Sequence, residues 1–223
     1  MHHSESYGVV FFCDVVNFTN LCNIYEAHEI VFALDKLFTQ CDAVCLKHKG
    51  VRVDVVGDCY IAFFCGACAG ANTCSAAEEF LRVSDASQGP EGPLRVRIGV
   101  CAGPVTWAAV AGKESMFGPT VNCAARVQTS GFPGCAHASA SFWELLMKEA
   151  GGIGELSTQM TPCGDIHLKG FGNVPTYVLH VGNNYAQACL QRALQRRYSE
   201  DPEFSHSAAL RKTKWNSISY MLV

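Results

Sequence analysis

Two acidic residues stand beside apolar, strand-like runs, where a carboxylate has few structural roles. Asp14 follows "GVVFFC", and Asp58 occupies the tip of a predicted hairpin in "RVDVVGDCYI". Two carboxylates that converge in an otherwise neutral site bind divalent cations, usually Mg²⁺ with phosphate oxygens completing the shell. Asp14 and Asp58 form such a pair if the N-terminal strand lies beside the hairpin. Singly, each has an ordinary explanation, because Gly-Asp is turn chemistry and Asp14 could cap the turn at Asn17.

Three other polar residues have spacings that suit an anionic ligand. Asn122 and Arg126 are four residues apart in "TVNCAARVQ", so on a helix they share one face. Lys169 precedes Gly170 in a predicted strand–turn–strand segment. Each of the three also has a structural explanation: a helix-start residue, a surface or salt-bridge residue and a turn residue. Short motifs of this kind carry weight only in combination.

Hydrophobic patterning predicts the elements that would position these residues. "YGVVFFCDVV" (7–16) is a continuous apolar run with one acid, which indicates a buried strand. Apolar residues recur at helical spacing from about Tyr25 to His48, and Gly50 ends that helix. The remaining predictions, in chain order, are a hairpin over 51–65, a helix over 67–83, a loop over 84–93, a strand over 94–103, helices over 120–128 and 139–150, and two strands over 164–182.

This order of elements predicts an α+β fold. A ferredoxin-like mixed sheet with helices packed on one face accommodates it best. Residues 7–182 form the predicted domain, whereas residues 1–6 are too short to fold and are expected to be disordered. Residues 183–223 are predicted to hold an amphipathic helix, over 185–198, and a tail without a clear contribution to the core.

Composition limits the classes of function. The chain has 223 residues, of which 49% are hydrophobic, enough for one sizeable core. A net charge of -3 argues against nucleic-acid binding, which needs a basic face. The 13 cysteines lie mostly in apolar runs, as buried thiols do in a reducing compartment, so we expect a cytoplasmic protein. No signal peptide and no apolar run of about twenty residues is evident, so we expect no membrane contact from this segment.

Five segments resemble, in the right order, the motifs of class III nucleotidyl cyclases. They are "FFCDVVNFT", "RVDVVGDCYI", "RIGVCAGPV", "FGPTVNCAARVQTSGFPG" and "HLKGFGNVPTYVL". The resemblance runs from about Gly8 to Val181. It implies a head-to-tail dimer of catalytic domains with the active site at the interface. The reaction it implies converts a purine nucleoside triphosphate to the 3′,5′-cyclic nucleotide and pyrophosphate.

The same resemblance assigns a metal site. It places two Mg²⁺ ions, for which Mn²⁺ can substitute, at Asp14, Val15 and Asp58. One ion would lower the pKa of the ribose 3′-hydroxyl, and the other would anchor the polyphosphate. No side-chain nucleophile is implied, because the ribose hydroxyl attacks.

Further roles follow for the other polar residues. By resemblance, Asn122 orients the ribose, Arg126 stabilises charge on the α-phosphate in the transition state, and Lys169 contacts the terminal phosphates. Phosphoryl transfer needs mainly positioning and charge stabilisation, which agrees with these residue types. Two positions depart from the family pattern: Pro119 replaces a usual acid, and Phe171 replaces a common second lysine.

The residues at the base-reading positions are unusual for the family. Adenylyl cyclases usually carry Lys at position 54 and Asp or Thr at position 115, and guanylyl cyclases carry Glu and Cys, whereas this chain has Asp54 and Ser115. A carboxylate accepts hydrogen bonds, guanine presents two donors on one edge, and the serine hydroxyl could donate to O6. This pairing favours GTP, and ATP in a shifted pose stays open.

Three readings stay open for the whole molecule. The first is a homodimeric cyclase with two equivalent sites, and the second pairs this chain with a different cyclase chain as a heterodimer. The third is a catalytically degenerate cyclase-homology module for dimerisation or regulation. The unusual Asp54 and Ser115 favour it, whereas four intact residues oppose it: Asp14, Asp58, Asn122 and Arg126. The segment could also be the intracellular domain of a larger membrane or multidomain protein.

Overall fold

The computed structural model describes residues 3–89, 92–150, 160–179 and 190–191. These residues form ten strands and five helices. In chain order the elements are β1 (His3–Val15), α1 (Phe18–Ile24), α2 (Ala27–Lys47), β2 (Gly50–Val56), β3 (Cys59–Cys65), α3 (Ala69–Ala86), β4 (Gln88–Gly89), β5 (Gly92–Pro93), β6 (Val96–Val110), β7 (Lys113–Phe117), α4 (Pro119–Thr129), β8 (Ala136–Ser139), α5 (Ala140–Glu149), β9 (Met160–Leu168) and β10 (Gly172–Leu179).

Eight of the strands form one mixed sheet. Its order is β2-β3-β1-β6-β8-β10-β9, with β7 paired to β6, and β4 and β5 form a separate two-stranded sheet. β6 and β8 pair in parallel, and the other pairings within the sheet are antiparallel. The α+β fold with a mixed sheet is therefore confirmed. None of the helices in the described ranges is long and apolar enough to cross a membrane.

The two faces of the sheet carry separate apolar clusters. Alternate residues of β1, among them Val9 and Phe11, join the larger cluster with side chains of α2, α3 and α5. Val10 points to the other face and joins a smaller cluster with α4, β7 and β9. Because strand side chains alternate between faces, α4 covers the face opposite to the other long helices. The sequence predicted helices on one face of the sheet, whereas in the structure helices cover both faces.

Helix α4 lies directly on β6 because two glycines leave room for its backbone. A Cβ atom on Gly99 would collide with the backbone of Gln128, and one on Gly103 would press on the side chain of Thr120. Gly99 and Gly103 are four residues apart, so they point to the same face of the strand. They thereby fix where α4 begins and ends along β6.

Some boundaries differ from the sequence prediction. Residues 3–6, expected to be disordered, belong to β1 and pair with β6 from His3↔Ala108 to Ser6↔Val105, so backbone pairing orders a segment that lacks apolar residues. The short α1, β7 and β8 were not predicted. The helix predicted over 185–198 lies outside the described residues except for two positions, of which Leu190 is 9% exposed and joins the larger cluster.

Candidate active site

Asp14 and Asp58 meet at one end of the sheet. The β1–β3 register places Asp14 opposite Cys59, the neighbour of Asp58 at the hairpin tip. The pKa of Asp58 is raised from 3.8 to about 6, first by burial and then by the charge of Asp14 and a hydrogen bond with it. The predicted convergence of the two carboxylates is therefore found, and it brings them close enough for the charge of Asp14 to raise the pKa of Asp58.

Asp14 also contacts two donors that the sequence did not indicate. Its Oδ2 atom lies 3.0 Å from Nη2 of Arg97 and 3.2 Å from Nε2 of Gln128. Arg97 is its cross-strand partner on β6, and Gln128 reaches it from the last turn of α4. The Asp14 side chain is only 20% exposed, so these partners hold it in a largely enclosed site.

This carboxylate pair fits a divalent cation. Two adjacent carboxylates repel one another when both are ionised, and a cation between them removes that cost. No group of three or more His, Cys, Asp and Glu side chains suitable for a metal occurs among the described residues. Further ligands must therefore be backbone, solvent or phosphate oxygens. Val15, whose side chain is apolar and 2% exposed, can offer only its backbone carbonyl.

Asp54 has a cationic partner in β7. A β-bulge between Arg52 and Asp54 shifts the register of β2, and bulges of this kind re-aim side chains. The Nζ atom of Lys113 lies 2.6 Å from Asp54 Oδ2, and Oδ1 accepts a bond from the backbone N–H of Val55 at 2.9 Å. The bond from Lys113 is the main cause that lowers the pKa of Asp54, which therefore stays ionised. Ser115 lies two residues from Lys113 on the same face of β7.

Asn122 and Arg126 lie on α4, on the side away from Asp14. Gln128 marks the side of the helix that faces the carboxylate pair. At 3.6 residues per turn, Arg126 is rotated about 200° and Asn122 about 240° from Gln128 around the axis. Asn122 is exposed and Arg126 is half-buried, whereas Gln128 is 5% exposed. Within one chain, therefore, Asn122 and Arg126 point away from Asp14 and Asp58.

Lys169 is more distant still. It is exposed in the turn between β9 and β10, at the sheet edge opposite to the β2–β3 hairpin. The strand directions place this turn near the start of β1, whereas Asp14 lies near the end of β1. One chain thus groups the predicted residues into an acidic pair, an Asp54–Lys113 pair beside Ser115, and a separate set on α4 and the β9–β10 turn.

Three residues near the candidate site were missed by sequence reasoning. Arg97, Lys113 and Gln128 are ordinary polar residues in the sequence, and no local motif distinguishes them. Their partners become evident only from the β1–β6 register and from the phase of α4. The one available signal was the alternation of "LRVRIGV", which places Arg97 on the same face of β6 as Gly99.

Comparison with known proteins gives a consistent match. Residues 2–181 match the family described as "Adenylate and Guanylate cyclase catalytic domain". Human "Guanylate cyclase soluble subunit beta-2" is 30% identical over 179 residues, which cover 76% of this chain and 28% of that protein. "Adenylate cyclase, germination specific" of Dictyostelium discoideum is 29% identical over 199 residues, which cover 84% of this chain and 22% of that protein. The chain thus spans less than a third of the length of these curated relatives.

Solved structures of similar fold include both kinds of cyclase. The guanylate cyclase domain of RhGC from Catenaria anguillulae, in complex with GTP, superposes with a TM-score of 0.72 at 24% identity, covering 81% of this chain and 99% of that one. The adenylyl cyclase CyaB from P. aeruginosa gives a TM-score of 0.68 at 23% identity, covering 82% and 98%. At these identities the likeness concerns the fold.

Proposed function

Because the chain belongs to the adenylate and guanylate cyclase catalytic domain family, we propose that it converts a purine nucleoside triphosphate to the 3′,5′-cyclic nucleotide and pyrophosphate, with GTP preferred over ATP. The convergence of Asp14 and Asp58 in a largely enclosed site carries this proposal. Two ionised carboxylates held close together are costly unless a cation joins them, and phosphoryl transfer uses such cations.

The proposed site is composite. Asp14 and Asp58 of one chain would hold two Mg²⁺ or Mn²⁺ ions, with the Val15 carbonyl as a further ligand. Asn122 and Arg126 come from a second chain, because in their own chain they lie on the far side of α4. Both halves occur in one sequence, so a head-to-tail homodimer would contain two equivalent sites. A heterodimer with a related cyclase chain is the alternative, since one relative is itself named a subunit.

Each residue has a defined task in this proposal. When bound, the metal ions favour deprotonation of the ribose 3′-hydroxyl and screen the polyphosphate. Asn122 donates to or accepts from the ribose and holds its 3′-oxygen in line with the α-phosphate. Arg126 donates to the non-bridging oxygens of the α-phosphate, where negative charge gathers in the transition state. Lys169, exposed on its turn, contacts the terminal phosphates that leave as pyrophosphate.

The base-reading residues support GTP. Guanine presents one acceptor, O6, beside two donors, N1–H and N2–H₂. Ionised Asp54 supplies acceptors, and Lys113 and Ser115 supply donors beside it. Adenine presents N6–H₂ and N1 only, so one of these protein groups would be left unpaired. Discrimination therefore rests on a group that lacks a partner with the wrong base.

Complementation tests the composite site. Asp14→Asn and Arg126→Ala chains should each be inactive, because each lacks one half of every site. Mixed in equal amounts, they should recover about a quarter of the wild-type activity, since half of the dimers formed at random are hybrids with one intact site of two. Demonstrated heterodimers without recovered activity would contradict a shared site. Asp14→Asn chains mixed with chains that carry both substitutions are the matched control, because no dimer in that mixture has an intact site and it should stay inactive.

The reduced state of the cysteines supports a cytoplasmic location. None of the 12 cysteines within the described residues is in a disulfide, and most of them are buried. Such thiols persist where glutathione and thioredoxin keep them reduced. We place the domain accordingly on the cytoplasmic side of whatever larger assembly contains it.

A further inference from the structure

We propose that Cys101 and Cys123 form a redox-active pair, which a peroxide oxidises to a reversible disulfide between β6 and α4. Both thiols belong to the smaller apolar cluster, where they are 3% and 8% exposed. Their sulfur atoms are close enough for a direct hydrogen bond. The disulfide itself is inferred from this packing, whereas its effect on activity rests on the proposed function.

The packing of α4 on β6 sets the two thiols against each other. Cys101 lies between Gly99 and Gly103 on the face of β6 that α4 covers. A Cβ atom on either glycine would collide with residues of the helix, so α4 is held very close to the strand at both points. Cys123 lies on the stretch of α4 between these two contacts. A disulfide requires Cα atoms about 4.4–6.8 Å apart, and such close packing of a helix on a strand allows one.

The surroundings of Cys101 are polar, although the cluster that contains it is apolar. Its Sγ atom lies 3.1 Å from Oγ of Ser139 and 3.7 Å from Oγ of Ser141. Ser139 is the N-cap of α5, so the partial positive charge at the start of that helix is also near the sulfur. Hydroxyl groups and a helix N-terminus stabilise a thiolate. A thiol that only filled space would need none of these neighbours.

The hydrogen bonds assign different roles to the two thiols. The bond from Cys123, together with those from Ser139 and Ser141, lowers the pKa of Cys101 in spite of its burial. The same bond between the thiols, with burial, raises the pKa of Cys123. The thiolate is the form that reacts as a nucleophile. Cys101 is therefore the thiol that meets the peroxide, and Cys123 is the thiol that completes the disulfide.

The oxidation consumes one hydrogen peroxide molecule and two thiols. The Cys101 thiolate attacks one peroxide oxygen, the O–O bond breaks, and the leaving hydroxide combines with the proton that Cys101 had released. The Cys123 sulfur then attacks the sulfur of the sulfenic acid, the S–O bond breaks, and the Cys123 proton leaves with that hydroxide as a second water. Two electrons pass from the thiols to the peroxide. A thiol reductant reverses the product by exchange.

The disulfide would act on the helix that carries Asn122 and Arg126. It shortens the distance between the two sulfur atoms from hydrogen-bond contact to about 2.05 Å. Because the glycine contacts leave α4 no room to approach β6, the helix must turn or tilt instead. A displacement of about 1 Å near reacting groups can cost roughly 100-fold in rate. We therefore expect oxidation to lower cyclase activity at least about tenfold.

Peptide mapping tests the disulfide without any activity measurement. Trypsin, which cleaves after Lys and Arg, releases Cys101 in peptide 98–113 and Cys123 in peptide 114–126, and neither peptide holds another cysteine. After treatment with hydrogen peroxide and alkylation of the remaining thiols, mass spectrometry should find these two peptides joined, and dithiothreitol should separate them. Recovery of both peptides in alkylated form, while the exposed Cys65 and Cys68 are oxidised, would show the inference to be wrong.

Single variants test the order of the two steps. In Cys123→Ser the sulfenic acid of Cys101 has no thiol to react with, so dimedone should label peptide 98–113. In Cys101→Ser peptide 114–126 should stay unlabelled. Equal labelling of the two peptides would contradict the assigned roles. Mapping of the wild type decides whether the disulfide forms even if a variant does not fold.

Cyclase activity before and after peroxide tests the consequence. Wild type should lose at least about tenfold and regain its activity with dithiothreitol, whereas Cys101→Ser should keep its activity. The matched control is Cys65→Ser with Cys68→Ser, which removes two exposed thiols and should respond as wild type does. If reduced wild type has no cyclase activity, the proposed function is wrong while a mapped disulfide stands. If Cys101→Ser is inactivated as wild type is, the disulfide does not control activity.

Discussion

Base selection can be tested by exchanging Asp54 and Ser115, the residues that we propose to face the purine, and the structure adds a third position, Lys113, to that exchange. Asp54→Lys with Ser115→Asp installs the residue types usual in adenylyl cyclases. In this chain, however, the Nζ atom of Lys113 lies 2.6 Å from Asp54 Oδ2. A lysine at position 54 would therefore stand beside a second ammonium group. Lys113→Gln removes this conflict and keeps a hydrogen-bond donor.

The strength of the repulsion between a lysine at position 54 and Lys113 depends on how exposed the two side chains are. Two like charges about 4 Å apart repel by about 1 kcal/mol in water and about 4 kcal/mol at an effective dielectric constant of about 20. The Lys113 side chain is 62% exposed, so the lower value applies. About 1 kcal/mol corresponds to roughly a fivefold loss. We expect the double variant to have about fivefold lower total activity than the triple variant that includes Lys113→Gln.

The expected change in the preference for ATP over GTP can be estimated separately. A lysine at position 54 only donates, so the N1–H group of guanine would face a donor and remain unpaired. A buried donor left unpaired costs about 1–3 kcal/mol, which is roughly tenfold or more in discrimination. The ratio of kcat/KM for ATP to that for GTP should therefore rise at least tenfold in the triple variant.

The assay is a cyclase measurement with ATP and GTP in parallel, in Mg²⁺ and in Mn²⁺. Because a ratio of substrates is compared within each variant, a general loss of activity through loosened packing cancels. Lys113→Gln alone is measured beside the triple variant, because it shows how much of any change in the ratio comes from the loss of the Lys113 donor while Asp54 and Ser115 are unchanged. An unchanged ATP-to-GTP ratio in the triple variant would mean that Asp54 and Ser115 do not read the base.

Two further predictions concern stability. The pKa of Asp58 is raised from 3.8 to about 6 in the folded protein, so the folded state binds this proton more tightly than the unfolded state. Metal-free wild type should therefore lose stability as the pH rises from about 4 to about 6. Urea unfolding in EDTA should show the stability of Asp58→Asn rising relative to that of wild type across this pH range, and a constant difference would refute this. Gly99→Ala should destabilise the protein by about 1–3 kcal/mol or more, since its methyl group would collide with the backbone of Gln128. The midpoint of urea unfolding measures this loss. A loss under about 0.5 kcal/mol, typical of an uncrowded surface site, would show that α4 can move away at no cost.

The elements predicted well are those in which the apolar pattern of the element's own residues indicates a strand or a helix. β1 is a long apolar run, and α2 carries seven buried side chains at helical spacing. β7 could not be found in this way, because "KESMF" buries only Met116 and owes its strand conformation to pairing with β6. β8 has four residues, all buried in the parallel pairing with β6, so it shows no alternation.

In the candidate site, likewise, some contacts could be predicted from the local sequence and others could not. The contact of Asp14 with Asp58 follows from strand adjacency, which the turn at Gly57-Asp58 and the apolar β1 already suggest. The partners of Asp14 and Asp54 depend instead on register across β1–β6 and on a bulge in β2. A one-residue slip in either would send different side chains to these positions. Such details are set by the packing of the whole sheet and cannot be read from a local pattern.

Helix α4 is the element through which the two proposed sites of a dimer would influence each other. Its inner face ends in Gln128, which bonds to Asp14 of its own chain, while its outer face carries Asn122 and Arg126, which we assign to the site completed by the other chain. The helix has 11 residues and packs against β6 over two glycines. If the helix shifts as a rigid body, a shift that brings Arg126 closer to substrate in one site would also change the bond from Gln128 to Asp14 in the other. Substitutions within α4 that contact neither substrate nor metal are consequently expected to affect both sites together.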